Sequence, residues 1–174
     1  MEFSIDDAAL LLQRTPAVID AQLRGLPDDW VHSNEGPDTW SPFEVVGHLV
    51  HGEETDWIPR ARLILSDAPD KRFTPFDRFA QQRNSAGKTL PLLLDTFARL
   101  RTENLDTLRS WNISEADLEK TGIHPEFGSV TLRQLLATWV AHDMTHIVQI
   151  ARVMGKQYKT DAGPWVQYIG ILQR

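Results

Sequence analysis

The chain has 174 residues, 41% of them hydrophobic, with 18 basic against 24 acidic side chains, a formal net charge of −6, and no cysteine. The length suits one domain with a real core, and the acidic balance argues against a protein that binds nucleic acid electrostatically. The missing cysteine removes disulfides, thiolate zinc sites, iron–sulfur clusters and a protein-borne thiol nucleophile together, so any metal must be held by His, Asp or Glu.

The stretch from Met1 to Asp7 is acidic rather than basic, and no apolar run approaches the ~18 residues of a membrane span. The expectation is a single cytoplasmic domain over residues 1–174. A first helical pattern runs from Ile5 to about Arg24, with Ser4 placed to cap it and Pro16 placed to kink or split it; Gly25 and Pro27 follow as stop signals. Ser41-Pro42-Phe43-Glu44 has the form of a capping box with proline in the first turn and opens a second helix toward Leu65, interrupted at Pro59. A third pattern extends from about Pro75 to Arg109, where Gly87 and Pro91 mark a bend or a shifted start. Ser114 to Lys120 reads as one short helix and Thr121 to Val130 as a loop. Thr131-Leu132-Arg133-Gln134 repeats the capping-box form, and Gly155 stands ready to end the fourth helix. Trp165, Tyr168, Ile169 and Leu172 in the tail are expected to pack back on the body. Four long amphipathic helices predict an all-α fold, an up-and-down four-helix bundle with longer connections.

The six histidines are 32, 48, 51, 124, 142 and 146. His142 and His146 lie four apart on the fourth helix, so they project from one face and can bind one divalent ion at ~2.0–2.1 Å each. The spacing alone is a weak motif, and a third nitrogen has to come from another helix. His48, two turns into the second helix, is the candidate, although a lone histidine on such a helix is more often a hydrogen-bonded boundary residue. His51, one turn on, could replace or support it, or lie at the surface. His32 and His124 read as solvated loop residues.

Trp40-Ser41-Pro42-Phe43-Glu44-Val45-Val46-Gly47-His48-Leu49, followed by Glu53, resembles the second-helix signature of the DinB-like (DinB/YfiT) superfamily. Gly128 to Leu132 leading into His142-Asp143-Met144-Thr145-His146-Ile147-Val148-Gln149 resembles its fourth-helix motif of His-x-x-x-His-x-x-Gln, and Gly163-Pro164-Trp165 with Tyr168 is similar to a common C-terminus of the family. The resemblance implies a four-helix bundle holding one divalent metal, zinc or nickel, through His48, His142 and His146. It also implies a homodimer, and metal-dependent hydrolysis or transfer involving a low-molecular-weight thiol.

Three neutral imidazoles leave a coordination position open, where a water would have its pKa lowered toward ~7 or a thiol would be held as thiolate. Without cysteine in the chain, that thiol would have to arrive with a cosubstrate. Glu53 could serve as general base or supporting partner, or be an exposed carboxylate. Asp143 points about 100° away from its neighbouring ligand, which suggests a salt bridge or a surface place. Gln149 could hydrogen-bond a ligand or substrate, and Trp139 could wall the pocket or simply fill the core. The substrate would be a small molecule, with neither nucleic acid nor membrane as partner. The alternative to an enzyme is a noncatalytic, stress-related helical binding protein with a structural or vestigial site. A concave pocket beside the open position separates the two.

Overall fold

Ser4 caps helix α1 (Ile5–Leu23), its hydroxyl accepting the Asp7 N–H at 3.3 Å. The structure is a computed structural model, and it describes residues 2–173; Met1 and Arg174, the two ends of the span read as one domain, lie outside the described residues. α1 runs through Pro16 without splitting. A short helix α2 (Asp28–His32) follows, so His32 is helical rather than in a loop, with its ring against Phe43 at 4.8 Å.

The second expected helix is two. α3 (Pro42–Thr55) begins with the full capping box of Ser41 and Glu44, and α4 (Trp57–Leu65) continues after a break at Asp56, whose φ is −110°. The break falls before Pro59 for a steric reason. A proline ring clashes with the carbonyl four residues earlier, here Thr55, so the first helix ends there and Pro59 sits in the first turn of the next. The third pattern also divides. α5 (Ala80–Ser85) is a short piece, and α6 (Leu90–Ser110) starts afresh after Gly87 at φ +74°, with Thr89 capping and Pro91 in its first turn.

α7 (Glu115–Leu118) fulfils the short-helix expectation. The segment read as a loop is instead an antiparallel hairpin, β1 (Thr121–His124) on β2 (Gly128–Thr131), with Thr121 opposite Thr131 and His124 opposite Gly128. Lys71 to Phe73 adds to its outer edge, Phe73 N–H bonding to Ile123 O and Ile123 N–H to Lys71 O, both at 2.9 Å. α8 (Leu132–Lys156) opens on the Thr131–Gln134 capping box and passes through Gly155 by one residue. Two short 3₁₀ turns, Gly163–Tyr168 and Gly170–Leu172, end the chain. Of the tail residues expected to pack back, Leu172 does so, while Trp165 and Tyr168 are 67% and 76% exposed.

α1 packs on α6 and α8, and α3 packs on the same two helices, giving the ring order α1-α6-α3-α8. Helices consecutive in the chain therefore face each other diagonally in two cases, and this is why their connections are long. The core has two apolar parts. One centres on Leu12, Trp57, Leu105 and Trp139, the other on Ile19, Leu49, Phe97 and Ile150. Between them every long helix contributes a buried polar residue: Thr15 from α1, Glu53 from α3, Arg101 from α6 and Asp143 from α8. Among the described residues, no helix is long and apolar enough to cross a membrane.

Candidate metal centre

His48 from α3 and His142 and His146 from α8 converge in the bundle. His142 Nε2 lies 3.0 Å from His48 Nε2 and 3.1 Å from His146 Nε2. Among the described residues these three form the cluster of side chains able to hold a metal, one ligand atom from each lying within 4.8 Å of the others.

Hydrogen bonds on the far side of two rings set which nitrogen faces inward. His48 Nδ1–H donates to Gln81 Oε1 at 3.1 Å, and His146 Nδ1–H donates to Gln149 Oε1 at 2.8 Å. Both rings therefore turn an Nε2 lone pair toward His142. One proton on His142 Nε2 can serve only one of those lone pairs, and His142 Nδ1 is buried without a partner among the described residues. A divalent cation accepts all three lone pairs at once, and metal–nitrogen bonds of ~2.0–2.1 Å in a tetrahedral site place the nitrogens roughly 3.3 Å apart. The donor set fits the ion. Gln149 was legible as a ligand partner from its spacing; Gln81 was not. It lies on α5, which packs close to α3 because residue 47 is glycine: a Cβ there would stand 2.5 Å from Ser85 Oγ. Truncating Gln149 to Ala is expected to weaken metal binding about tenfold or more, as loss of such outer partners does; titration against a competing chelator measures it.

Aromatic rings enclose the triad. Trp40 lies on His48 (4.8 Å) and His146 (6.4 Å), Phe76 meets His48 edge-on, and Trp57 meets His142 edge-on at 5.1 Å. Loss of hydration disfavours the charged imidazolium. Burial, aided by the neighbouring His146, pushes the His48 pKa down to about 4, and burial pushes that of His142 to about 2 and lowers that of His146. The unfolded chain, with histidines near 6.5, therefore binds more protons than the folded one between about pH 6.5 and pH 4. Stability from the neutral His48 ring is complete above pH 6.5 and is lost as pH falls through that window, and the penalty from His142 goes on growing below it. The metal-free protein is expected to lose on the order of a few kcal/mol from His48 alone over that range. Urea melts from pH 7.5 to pH 4.5 measure this, and a flat profile would contradict it.

A cavity of about 370 Å³ opens over His48 and His142. Its inner wall includes Gly52, Asp56, Trp57 and Arg60 of the bundle, and its outer wall Phe73, Phe76 and the hairpin residues His124 and Phe127. Asp56 pairs with Arg60 at 2.5 Å, and burial raises its pKa. His124 is half-buried in this wall rather than solvated in a loop; its Nδ1 accepts the N–H groups of Glu126 and Phe127, and its ring stacks on Phe127 at 4.5 Å.

The remaining candidates fall elsewhere. His51 is buried against Phe76, not at the surface, and stays out of the cluster. Glu53 is buried, not exposed: its Oε1 accepts from Arg101 and Trp139 Nε1, and its Oε2 from Asn104. Asp143 makes the expected salt bridge, to Arg101 at 2.6 Å, but with no solvent exposure at all, so the surface reading is corrected. Trp139 is core, stacked on Trp57 at 5.7 Å.

The DinB superfamily model matches residues 11–150. Among solved structures, YfiT from Bacillus subtilis, described as a probable metal-dependent hydrolase with an unusual four-helix bundle topology, is similar with a TM-score of 0.77. The two are 20% identical, over 90% of each chain. TT2238, a four-helix bundle protein, is similar with a TM-score of 0.51 at 19% identity, over 83% of this chain and 95% of its own. No curated protein matches the chain. At these identities the solved structures show the shared bundle, and the family match, across four-fifths of the sequence, shows the descent: the chain belongs to the DinB superfamily.

Proposed function

We propose that this protein is a metal-dependent hydrolase acting on a small molecule bound in the cavity beside His48 and His142. One observation carries the reading: three Nε2 atoms, two with their lone pairs turned inward by glutamine partners, converge on a point that borders an open, aromatic-walled cavity. A closed structural site would need a fourth protein ligand and no cavity. The noncatalytic alternative lacks that support. The description of YfiT points the same way.

His48, His142 and His146 would hold the ion, with zinc or nickel both suited to imidazole. A divalent ion in such a site supplies Lewis acidity and lowers the pKa of water toward ~7. The chain's own residues do the rest. Trp57, Phe73 and Phe76 hold an apolar substrate body and exclude water. Asp56, the buried carboxylate of the cavity wall, accepts a proton, its raised pKa bringing it nearer neutrality. Glu53, with both oxygens committed, supports the ligand helices instead of taking protons.

The test is reconstitution with Zn²⁺ or Ni²⁺, elemental analysis, and hydrolysis assays on a panel of nitrophenyl esters and anilides. About one ion per chain and turnover that chelation removes are expected. Failure to take up metal would overturn the reading. Turnover only with an added low-molecular-weight thiol would replace hydrolysis by thiol transfer.

A further inference from the structure

The buried charges between the two apolar parts of the core belong to no ligand set, yet they join the helices that carry the ligands. Arg101 uses all five guanidinium N–H groups. Nε and Nη2 donate to Glu53 Oε1 at 3.2 and 2.8 Å, Nη2 and Nη1 to Asp143 Oδ1 and Oδ2 at 3.1 and 2.6 Å, and Nη1 to Leu12 O at 2.7 Å. The Leu12 carbonyl is free for this because Pro16, one turn on, has no N–H to give it. Glu53 stands five residues after His48 on α3, and Asp143 directly follows His142 on α8. One guanidinium thus ties together the two helices whose relative register decides whether the three Nε2 atoms meet. The tie continues toward the site, with Trp139 donating to Glu53 and stacking on Trp57, and Trp57 lying edge-on to His142.

The charges do not cancel. Two carboxylates and one guanidinium leave one negative charge buried beside three neutral imidazoles. In a medium of low dielectric, where water does not screen it, the net charge favours a cation at the three histidines, Asp143 acting on His146 while Arg101 opposes it at His142. We propose that Glu53, Arg101 and Asp143 form a positioning and charge-balancing device for the metal centre, raising its affinity for a divalent ion beyond what three histidines would provide. This rests on the metal-binding reading above.

The experiment measures Zn²⁺ affinity by competition with a chromophoric chelator, and the absorption spectrum of the Co²⁺-loaded protein, for wild type, Asp143→Asn and Glu53→Gln. Both variants keep the shape and one acceptor oxygen while removing one negative charge and turning the other oxygen into an amide N–H donor. Each is expected to bind Zn²⁺ at least tenfold more weakly with a shifted Co²⁺ spectrum, in the range outer partners of metal ligands command. A folded variant with Zn²⁺ affinity within twofold of wild type and an unchanged spectrum would reduce Glu53, Arg101 and Asp143 to a structural brace and overturn the proposal. If neither variant folds, Trp139→Phe removes one donor to Glu53 and keeps the ring stack; several-fold weaker Zn²⁺ binding is expected, and none would overturn the proposal. A wild type that binds no Zn²⁺ would instead sink the metal reading itself.

Discussion

His142→Ala is expected to leave the protein unable to retain a divalent ion. His142 is the middle nitrogen of the three, 3.0 Å from one partner and 3.1 Å from the other, so its loss breaks both short contacts and leaves two rings to hold the metal. The change has a second readout. A ligand that binds only the folded state stabilises it by about 2.7 kcal/mol at a concentration one hundred times its Kd. For a chain of this size that is a rise in Tm of roughly 5–10 °C. Wild type should show this rise with Zn²⁺, and His142→Ala should show none. The metal-free variant should stay folded, because the replaced ring had a buried nitrogen without a partner among the described residues. A variant that still carries one ion per chain would show that other residues make the site.

Arg101→Met is expected to be among the most destabilising single changes in the molecule. It keeps much of the volume and the contact with Phe97 and Trp139, over which the guanidinium lies at 4.9 and 5.1 Å. It also leaves Glu53 and Asp143 in the core without a cation and the Leu12 carbonyl without a donor. Breaking a buried ion pair from one side costs about 3–5 kcal/mol, which for a chain of this size means a Tm lower by roughly 6–20 °C. Denaturant melts of the metal-free protein isolate this effect from metal binding. A loss below about 1 kcal/mol would mean that water reaches the two carboxylates.

The His142–His146 pair and the bundle could be read from the sequence because both follow helical geometry, whereas His48 joined the set through the family resemblance. The i,i+4 spacing of His142 and His146 and the capped starts at Ser41 and Thr131 are local signals, and local signals survive folding. What escaped depended on partners distant in the chain. For Glu53 a surface place stood beside a role as base or supporting partner, and for Asp143 beside a salt bridge, because a lone charge is rarely buried and nothing in the sequence singles out Arg101 among the basic residues as their common partner. Gln81 meets His48 from 33 residues away, on a short helix that the periodicity merges with the long one after it. The hairpin was missed because its strands have four residues each and its turn carries Pro125, and Lys71 to Phe73, which extends it, is remote in sequence. The aromatic tail misled in the other direction: hydrophobic type predicts burial only on average, and Trp165 and Tyr168 stand out in solvent.

The hairpin divides the work between two sets of residues. The nitrogens that would hold the ion stand on α3 and α8, fixed by helix packing, whereas the far side of the cavity is built from the hairpin and the segment around Phe73 and Phe76. These outer pieces contribute no ligand nitrogen. Residues such as Phe127, 73% exposed at the hairpin tip, can change in size or charge without disturbing the histidines. A lineage could keep one candidate metal centre and exchange what meets it by rewriting a few positions of an eleven-residue ribbon.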